Sequence, residues 1–191
     1  MSVAAVLLAA GGGSRYAASG GSGHKLLAAF RGRTVVDWAA DHALQAGLGP
    51  LYVVTGSVDL PLTERGGSNG MHLIHNARWH DGMATSLQAA LVAARRAGHE
   101  AVVVGLGDQP LIDPEAWRRV GAASAPIAVA TYSGERGHPV RLAEEVWAWL
   151  PATGDGGARR VMDEHPELVT EVPCPGCPAD VDTLEDLSRW S

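Results

Sequence analysis

Apolar residues occur along this chain in two alternating patterns, short unbroken runs and longer stretches with helical spacing. Residues 3–10, 51–55 and 101–106 are apolar at nearly every position, which is typical of strands buried on both faces of a parallel sheet. Residues 34–46 and 83–97 repeat apolar side chains every three or four positions and are followed by glycine, which favours helices. The alternation of strands and helices predicts an α/β fold with a mostly parallel sheet.

The remaining elements are predicted from weaker signals. Strands are predicted at 71–75, 127–132, 139–142 and 168–172, and helices at 143–150, 157–165 and 183–190. Asp113 followed by Pro114 predicts a helix start, since Asp is a good N-cap and Pro suits the first helical position. Residues 11–23 and 60–70 are predicted to be loops, and 133–137 a turn. No internal repeat or long linker divides the chain, so a single domain over residues 1–191 is expected.

Composition narrows the functional classes. The chain has 191 residues, with 15 Lys or Arg against 21 Asp or Glu and a net charge of −6. A nucleic-acid-binding protein is expected to carry a basic surface, so that class is disfavoured. No apolar run approaches the ~18 residues of a membrane span, and the N-terminus lacks the basic segment of a signal peptide. We therefore expect a cytoplasmic protein without membrane contact.

The first candidate site is the glycine-rich segment after the first strand. Its glycines can bring backbone amides close to phosphate oxygens, with Arg15 at one end and Lys25 at the other. The dinucleotide fingerprint is not met because Tyr16 or Ala18 stands at its last glycine position, and a P-loop is not met because Leu26 follows Lys25. The segment is therefore either a polyphosphate clamp or an ordinary mobile loop.

Lys25 is the one lysine of the chain, against fourteen Arg. An ordinary surface cation in this background would be Arg. The lone Lys therefore suggests a site that needs a compact ammonium rather than a planar guanidinium. Chance placement of a single Lys is the alternative.

Carboxylates form the second group of candidates. Asp108 directly follows the strand at 101–106, where ligands of such sheets bind, and can either hold Mg²⁺ against a phosphate or cap a turn. Asp180 and Asp182 would share one face of an extended segment. Asp182 or Thr183 could instead cap the last helix, and both roles can coexist.

Cys174 and Cys177 form a CxxC pair with Pro and Gly between them. A structural zinc site needs four ligands, and His165 is the one histidine nearby in sequence. A surface turn is therefore favoured over a zinc or redox site, and two cysteines make no disulfide framework.

Six segments, in chain order, resemble the signature segments of the molybdopterin-type nucleotidyltransferases, and the resemblance covers nearly the whole chain. They are Leu8-Ala9-Ala10-Gly11-Gly12-Gly13-Ser14-Arg15 with Lys25, then 76–87, Gly107-Asp108-Gln109-Pro110, 134–139, 154–159 and 180–187. Ala10 and Gln109 make the chain most similar to the molybdenum cofactor cytidylyltransferases. The chain departs from this pattern by one extra glycine, by a longer 15–25 segment, and by Ala77 and Leu184 in place of proline.

The resemblance implies a three-layer, Rossmann-like nucleotidyltransferase fold. It implies transfer of CMP from CTP to the terminal phosphate of a molybdopterin-type acceptor, Mg²⁺ as cofactor, and transient contact with a client molybdoenzyme or its chaperone. The implied residue roles are Mg²⁺ binding by Asp108 and Asp182, triphosphate binding by Arg15 and Lys25, nucleotide binding by Leu8, Ala9, Ala10, Gly11, Gly12, Gly13, Ser14 and Gln109, and pterin contact by Ser86, His138 and Arg159. Arg15, Lys25 and Asp108 would be the catalytic residues.

Two other kinds of function stay open on the sequence. The first is another reaction on the same fold, either transfer to a different phosphorylated acceptor or an oxidoreductase role of the kind ascribed to some relatives. The second is a non-catalytic carrier that binds molybdopterin and delivers it to an apo-enzyme.

Overall fold

The structure is a computed structural model that describes residues 2–64, 66–67 and 70–190. Its strands are β1 (Val3–Ala9), β2 (Ala29–Phe30), β3 (Arg33–Thr34), β4 (Leu51–Thr55), β5 (Met71–His75), β6 (Ala101–Leu106), β7 (Ile127–Tyr132), β8 (Glu135–Ala143) and β9 (Val169–Pro173). Its α-helices are α1 (Ser14–Ala18), α2 (Val35–Gln45), α3 (Met83–Arg96), α4 (Pro114–Ala122), α5 (Arg159–Glu164) and α6 (Leu184–Trp190). Short 3₁₀ turns lie at Lys25–Leu27, Trp79–Asp81, Glu144–Trp149 and Pro166–Leu168.

A seven-stranded sheet forms the centre of the fold, in the order β5-β4-β1-β6-β8-β7-β9. Parallel pairs join β1 to β4 and β6, β4 to β5, and β7 to β9, whereas β8 runs antiparallel to both of its neighbours. The predicted α/β class with a mostly parallel sheet is confirmed. Because parallel strands end at the same edge of a sheet, the segments that follow β1, β4 and β6 lie side by side.

Side chains of β1 alternate between two apolar cores on opposite faces of the sheet. Ala4, Val6 and Leu8 pack in the core that contains α3, and Ala5 and Leu7 pack in the core that contains α2 and α4. Burial on both faces explains why this strand is apolar at every position. The result is a three-layer arrangement of helix, sheet and helix.

Two helices begin where their sequence signals place them. Thr34 caps α2 through the amide of Asp37, and the Asp37 carboxylate accepts from the Thr34 amide in return. Asp113 caps α4 by accepting from the amide of Glu115, with Pro114 at the first helical position. Both predicted starts are confirmed.

The turn between β7 and β8 is shorter than predicted. Glu135 already pairs with Tyr132, so the connection consists of Ser133 and Gly134 alone, and both have positive φ (52° and 87°). Such a two-residue turn matches the twist of a hairpin, and glycine and small polar residues tolerate it. The strand predicted at 139–142 is therefore the longer β8, and the helix predicted at 143–150 is a 3₁₀ turn.

The segment 11–23 is not wholly the loop predicted from its composition, because it contains α1. Tyr16 of α1 is 4% exposed and packs in a third apolar cluster with Phe30, Val35 and Val181. Burial of this one aromatic ring overrides the low helix propensity of the neighbouring glycines and serines. The Ser19 hydroxyl also accepts the Leu184 amide, so α1 is tied to the start of α6.

The segment predicted as irregular at 60–70 contains no helix or strand among its described residues, and Arg65, Ser68 and Asn69 lie outside them. Within the described parts of the chain, none of the helices has the length and apolar character needed to traverse a bilayer.

Candidate active site

A cavity of about 710 Å³ opens where β1 and β6 end. Cavities of this size accommodate nucleotide-sized ligands. The predicted site residues that line it are Leu8, Ala9, Ala10, Gly11, Gly12, Gly13, Ser14, Arg15, Lys25, Ser86, Asp108 and Asp182. Gln109, His138 and Arg159 do not line it. The structure thus brings residues from four distant parts of the sequence to one place.

The glycine turn after β1 forms one wall of the cavity. Gly13 has φ 63° and starts α1, a conformation that favours glycine. A Cβ on Gly12 would lie 3.1 Å from the indole ring of Trp79, so the chain passes closely under that ring. Among the described residues, nothing hydrogen-bonds to the amides of Gly12 and Gly13. These amides are therefore free to bind an anion.

Lys25 lies between two carboxylates, beside the glycine turn. Its Nζ donates to Asp108 Oδ2 at 2.6 Å and to Asp182 Oδ1 at 2.7 Å, and the side chain is 11% exposed. Arg15 pairs with the other oxygen of Asp182 at 2.6 Å. Burial alone would lower the pKa of Lys25, but the charges and hydrogen bonds of the two carboxylates outweigh it and raise this pKa. Lys25 is therefore a charged ammonium at neutral pH.

Asp180 lies beside this pair and is held by Gln109. The Gln109 side-chain amide donates to Asp180 Oδ1 at 2.8 Å and to the Pro178 carbonyl at 3.2 Å. Burial is the main cause that raises the pKa of Asp180, and the nearby charge of Asp108 raises it further. Gln109 therefore acts on the cavity through Asp180 rather than by lining it.

A backbone hydrogen bond links the segment of Asp108 to the segment of Asp180 and Asp182. The Val181 amide donates to the Asp108 carbonyl at 2.9 Å. Thr183 and Asp186 cap the start of α6 reciprocally, with Thr183 N–H to Asp186 Oδ2 at 2.9 Å and Asp186 N–H to Thr183 Oγ1 at 3.2 Å. Thr183 rather than Asp182 is therefore the cap, which leaves the Asp182 carboxylate in the cavity.

The carboxylates fit a divalent cation of the Mg²⁺ class. Within the described residues, Asp108 Oδ1 is buried and has no hydrogen-bond partner, although its sister oxygen contacts Lys25. Mg²⁺ is commonly held by one or two carboxylates together with waters and substrate phosphates. No group of three or more His, Cys, Asp or Glu side chains in the described chain is arranged to hold a metal alone. Asp108 and Asp182 therefore suit a cation that binds with a phosphorylated substrate.

Comparison with known proteins fits this geometry. The family described as MobA-like NTP transferase domain matches residues 5–169. The chain belongs to this family. Its sequence is 32% identical over 200 residues to nicotine blue oxidoreductase of Paenarthrobacter nicotinovorans, covering 98% of this chain and 95% of that protein.

Solved structures of similar proteins share the fold. Rv0371c from Mycobacterium tuberculosis H37Rv superposes with a TM-score of 0.80 at 29% identity, covering 99% of this chain and 97% of that one. The same protein in complex with manganese gives a TM-score of 0.71 at 28% identity, covering 100% and 98%. A nucleotidyl transferase from Methanothermobacter thermautotroptrophicus gives 0.77 at 23% identity, covering 98% and 94%. The three-layer nucleotidyltransferase fold implied by the sequence is thereby confirmed.

Two signature segments of this MobA-like chain meet at the start of α3. The Met83 amide donates to Asp155 Oδ1 at 3.1 Å, and the Ala84 amide donates to the Gly154 carbonyl at 2.9 Å. The 154–155 loop thus supplies the cap that Gly82, the N-cap residue, cannot provide from a side chain. The Gly154 amide donates back to the Asp81 carbonyl at 2.9 Å. The two segments are thus hydrogen-bonded to each other in both directions.

Replacing Gly82 by Ala is expected to destabilise the fold more than replacing Gly98 by Ala. Both glycines have positive φ (104° and 78°), but a Cβ on Gly82 would lie 2.5 Å from the Gly154 backbone, whereas one on Gly98 meets nothing within 4 Å. The difference in unfolding free energy should reach about 1–3 kcal/mol, the usual cost of overpacking. Denaturant unfolding of the two variants measures it. Equal losses would contradict the close approach at Gly82.

Ser86 is fixed by a small polar network. The Asn76 amide donates to Thr85 Oγ1 and to Ser86 Oγ, both at 2.9 Å, and the Asn76 Oδ1 accepts from the Arg78 amide. Because Ser86 Oγ accepts this bond, its own proton remains available to a ligand in the cavity.

His138 lies near Asp108 and Arg159, and neither His138 nor Arg159 lines the cavity. Burial lowers the pKa of His138 to about 4. The charge of Asp108 raises this pKa and that of Arg159 lowers it, but burial is the largest effect. His138 is therefore neutral at pH 7. Arg159 is exposed at the start of α5. Pterin contact by either residue stays a prediction.

Acid is expected to destabilise the protein through His138. An unfolded histidine binds a proton below about pH 6.5, whereas folded His138 stays neutral until about pH 4, so stability is lost as the pH falls between these values. The loss should reach about 3 kcal/mol. Urea unfolding at pH 7 and pH 4.5 should show a smaller drop for His138→Asn than for the unchanged chain. Parallel drops in both proteins would show that His138 is not the cause.

Three further residues in or beside the cavity make contacts that no sequence pattern predicted. Trp79 covers the glycine turn, Asp155 caps α3, and His24 joins the glycine turn to the Lys25 turn. Trp79 and Asp155 lie inside the signature segments 76–87 and 154–159, so the resemblance could have identified them as candidates. His24 carried no signal beyond its place before Lys25.

Proposed function

We propose that the protein is a nucleotidyltransferase that moves CMP from CTP to the terminal phosphate of a molybdopterin-type acceptor. The observation that carries this proposal is the convergence of Lys25, Asp108 and Asp182 beside the unbonded amides of the glycine turn. The amides can bind phosphate oxygens, and Lys25 can neutralise their charge. Membership of the MobA-like NTP transferase domain family supports the same reaction class.

The chemistry needs little from the protein beyond positioning. A terminal oxygen of the acceptor phosphate attacks the α-phosphorus of the nucleotide, a P–O bond forms, and the bond to the β-phosphate breaks as pyrophosphate leaves with the electron pair. A phosphate monoester is already largely ionised at pH 7, so no strong general base is required. The glycine turn would bind the β- and γ-phosphates, and Lys25 and Arg15 would balance the charge of the leaving pyrophosphate.

A divalent cation held by Asp108 and Asp182 would supply charge neutralisation at the α-phosphate when it is bound. The manganese complex of Rv0371c, a protein 28% identical over the whole of this chain, supports the use of such a cation. The buried, unpartnered Asp108 Oδ1 is the ligand atom that this chain offers for it.

The choice of CTP rests on Ala10 and Gln109. Ala10 lines the cavity, so its methyl group can limit the space beside a base. Gln109 holds Asp180 and Pro178 instead, so its effect on the base would be indirect. We therefore expect that selectivity for cytosine depends on Ala10 more than on Gln109.

Pyrophosphate release from each of CTP, GTP, ATP and UTP tests the proposal, with Mg²⁺ or Mn²⁺ and with and without molybdenum cofactor. We expect release with CTP that depends on both the metal and the acceptor. Release that is equal for CTP and GTP would remove the nucleotide assignment. Release with another phosphorylated acceptor but not with molybdenum cofactor would remove the acceptor assignment, and contact with a client molybdoenzyme would fall with it.

An oxidoreductase is the second candidate. The observation that favours it is the 32% identity to nicotine blue oxidoreductase over 98% of this chain. Oxidation of NADH or NADPH by an electron acceptor, without pyrophosphate release from any nucleotide, would favour this candidate. Tight binding of molybdenum cofactor with neither activity would favour a carrier.

A further inference from the structure

His24 connects three segments at the edge of the cavity. Its Nδ1 accepts from the Leu26 amide at 3.2 Å, which fixes the proton of the neutral ring on Nε2. Nε2 lies 2.9 Å from the Gly11 carbonyl and 3.2 Å from Ser57 Oγ. Ser57 in turn donates to the same Gly11 carbonyl at 2.8 Å. The ring thus joins the ends of β1 and β4 to the turn that carries Lys25.

The contacts of His24 limit the positions that the Lys25 side chain can reach. His24 is the N-cap of the 3₁₀ turn Lys25–Leu27, so its ring sets the direction in which this turn leaves the glycine segment. On the N-terminal side, Gly20, Ser22 and Gly23 are exposed and offer the turn little packing. A Cβ on Gly13 would contact both His24 and Lys25 at 3.4 Å, so the glycine turn and the Lys25 turn pack directly against each other.

We infer that His24 is a positioning residue that holds the ammonium of Lys25 in register with the glycine turn. Without the link to Gly11, the Lys25 turn would still be anchored by the buried Leu26 side chain and by the lysine's own ion pairs, but it would lose its side-chain hydrogen bond to the glycine turn. The ammonium would then spend less time between Asp108 and Asp182. This inference deepens the proposed nucleotidyl transfer and rests on it for the kinetic part of the test.

Lys25 offers a direct readout because it is the one lysine of the chain. Acetylation by acetic anhydride, followed by mass spectrometry of the peptide between Arg15 and Arg31, measures how accessible its amine is, without any enzyme assay. The unchanged protein should react slowly, since the amine is ion-paired and nearly buried. His24→Ala should raise the acetylation rate about fivefold or more, the factor that corresponds to losing one net hydrogen bond.

His24→Asn separates positioning from simple capping. Asn is a good N-cap and can accept from the Leu26 amide, but it is too short to reach the Gly11 carbonyl as the imidazole does. We expect His24→Asn to react as fast as His24→Ala. The matched control is His75→Ala, which changes an exposed histidine at the end of β5 and should leave the rate unchanged. Circular dichroism confirms that each variant is folded.

Steady-state kinetics show whether the substitution of His24 changes kcat or KM. Loss of Lys25 positioning should lower kcat for pyrophosphate release by about fivefold or more, with a smaller change in KM, because the glycine-turn amides still bind the nucleotide. Acetylation of His24→Asn at the unchanged rate would overturn the inference, since capping alone would then hold Lys25. Absence of pyrophosphate release from the unchanged protein would instead overturn the proposed function, and the acetylation result would still decide the role of His24.

Discussion

Asp108→Asn is expected to lower the turnover of nucleotidyl transfer by at least ~100-fold, which corresponds to roughly 2.7 kcal/mol of transition-state stabilisation. The substitution keeps the shape of the side chain and removes its charge. It deprives Lys25 of one partner at 2.6 Å and removes the buried Oδ1 as an anionic ligand for a cation. Steady-state pyrophosphate release with CTP measures the loss.

The fold should survive Asp108→Asn, because the Asp108 carbonyl still accepts from the Val181 amide. Asp113→Asn is the matched control, since Asp113 caps α4 outside the cavity and Asn caps a helix as well as Asp does. This control should keep full turnover and stability. Near-normal turnover in Asp108→Asn would remove Asp108 from the catalytic residues.

The two neighbouring carboxylates, Asp182 and Asp180, are expected to contribute unequally to turnover. Asp182→Asn removes a partner of both Lys25 and Arg15 and should cause a loss of the same order. Asp180→Asn should cost less, because Asp180 contacts Gln109 and its pKa is already raised by burial. An equal loss in Asp180→Asn would mean that Asp180 rather than Asp182 is the second metal ligand.

The sequence predicts the sheet well because each core strand is apolar for a single reason. A strand such as β1, buried on both faces, leaves no position for a polar residue, so its limits can be determined from composition. Helix starts are equally local, since Thr34 and Asp113 act on amides within three residues. The edge where β1 and β6 end follows from topology once the strands are known.

The site could be predicted only in part, because its decisive contacts join residues far apart in the chain. Lys25 to Asp182 spans 157 residues and Asp155 to Met83 spans 72, and no local pattern encodes either pair. Local composition does not predict the helix α1 for the same reason, since Tyr16 gains its burial from Phe30, Val35 and the distant Val181. Gln109 lies in the predicted loop, but its amide donates to Pro178 and Asp180, so its contact with a nucleotide stays a prediction.

Lys25→Met is expected to change nucleotide turnover and metal affinity in opposite directions. Met keeps the unbranched apolar stem of Lys and removes the ammonium. Turnover should fall at least ~100-fold, because a cation that balances phosphate charge is lost. Without nucleotide, however, Asp108 and Asp182 would keep only the exposed Arg15 as a cationic partner among the described contacts, and a divalent cation should bind them about 10-fold more tightly or better.

Lys25→Arg tests the geometry separately from the charge. The space between the two carboxylates holds a single nitrogen within 2.6–2.7 Å of both, in a side chain that is 11% exposed, and a planar guanidinium is wider than that space. We expect less than about a tenth of the turnover in this variant despite the retained charge. Arg160→Lys, the reverse exchange in an exposed pair with Glu164, should stay within about 0.5 kcal/mol of the unchanged stability and keep full turnover.

Manganese binding followed by electron paramagnetic resonance, together with pyrophosphate release, distinguishes the two roles of Lys25. Tighter Mn²⁺ binding and lost turnover in Lys25→Met would mean that the ammonium occupies the place of the cation until substrate arrives, and must move onto the phosphates for catalysis. Unchanged Mn²⁺ affinity in that variant would contradict the competition. Full turnover in Lys25→Arg would show that charge, rather than a compact ammonium, is what this position requires, and the single lysine among fourteen arginines would then reflect chance.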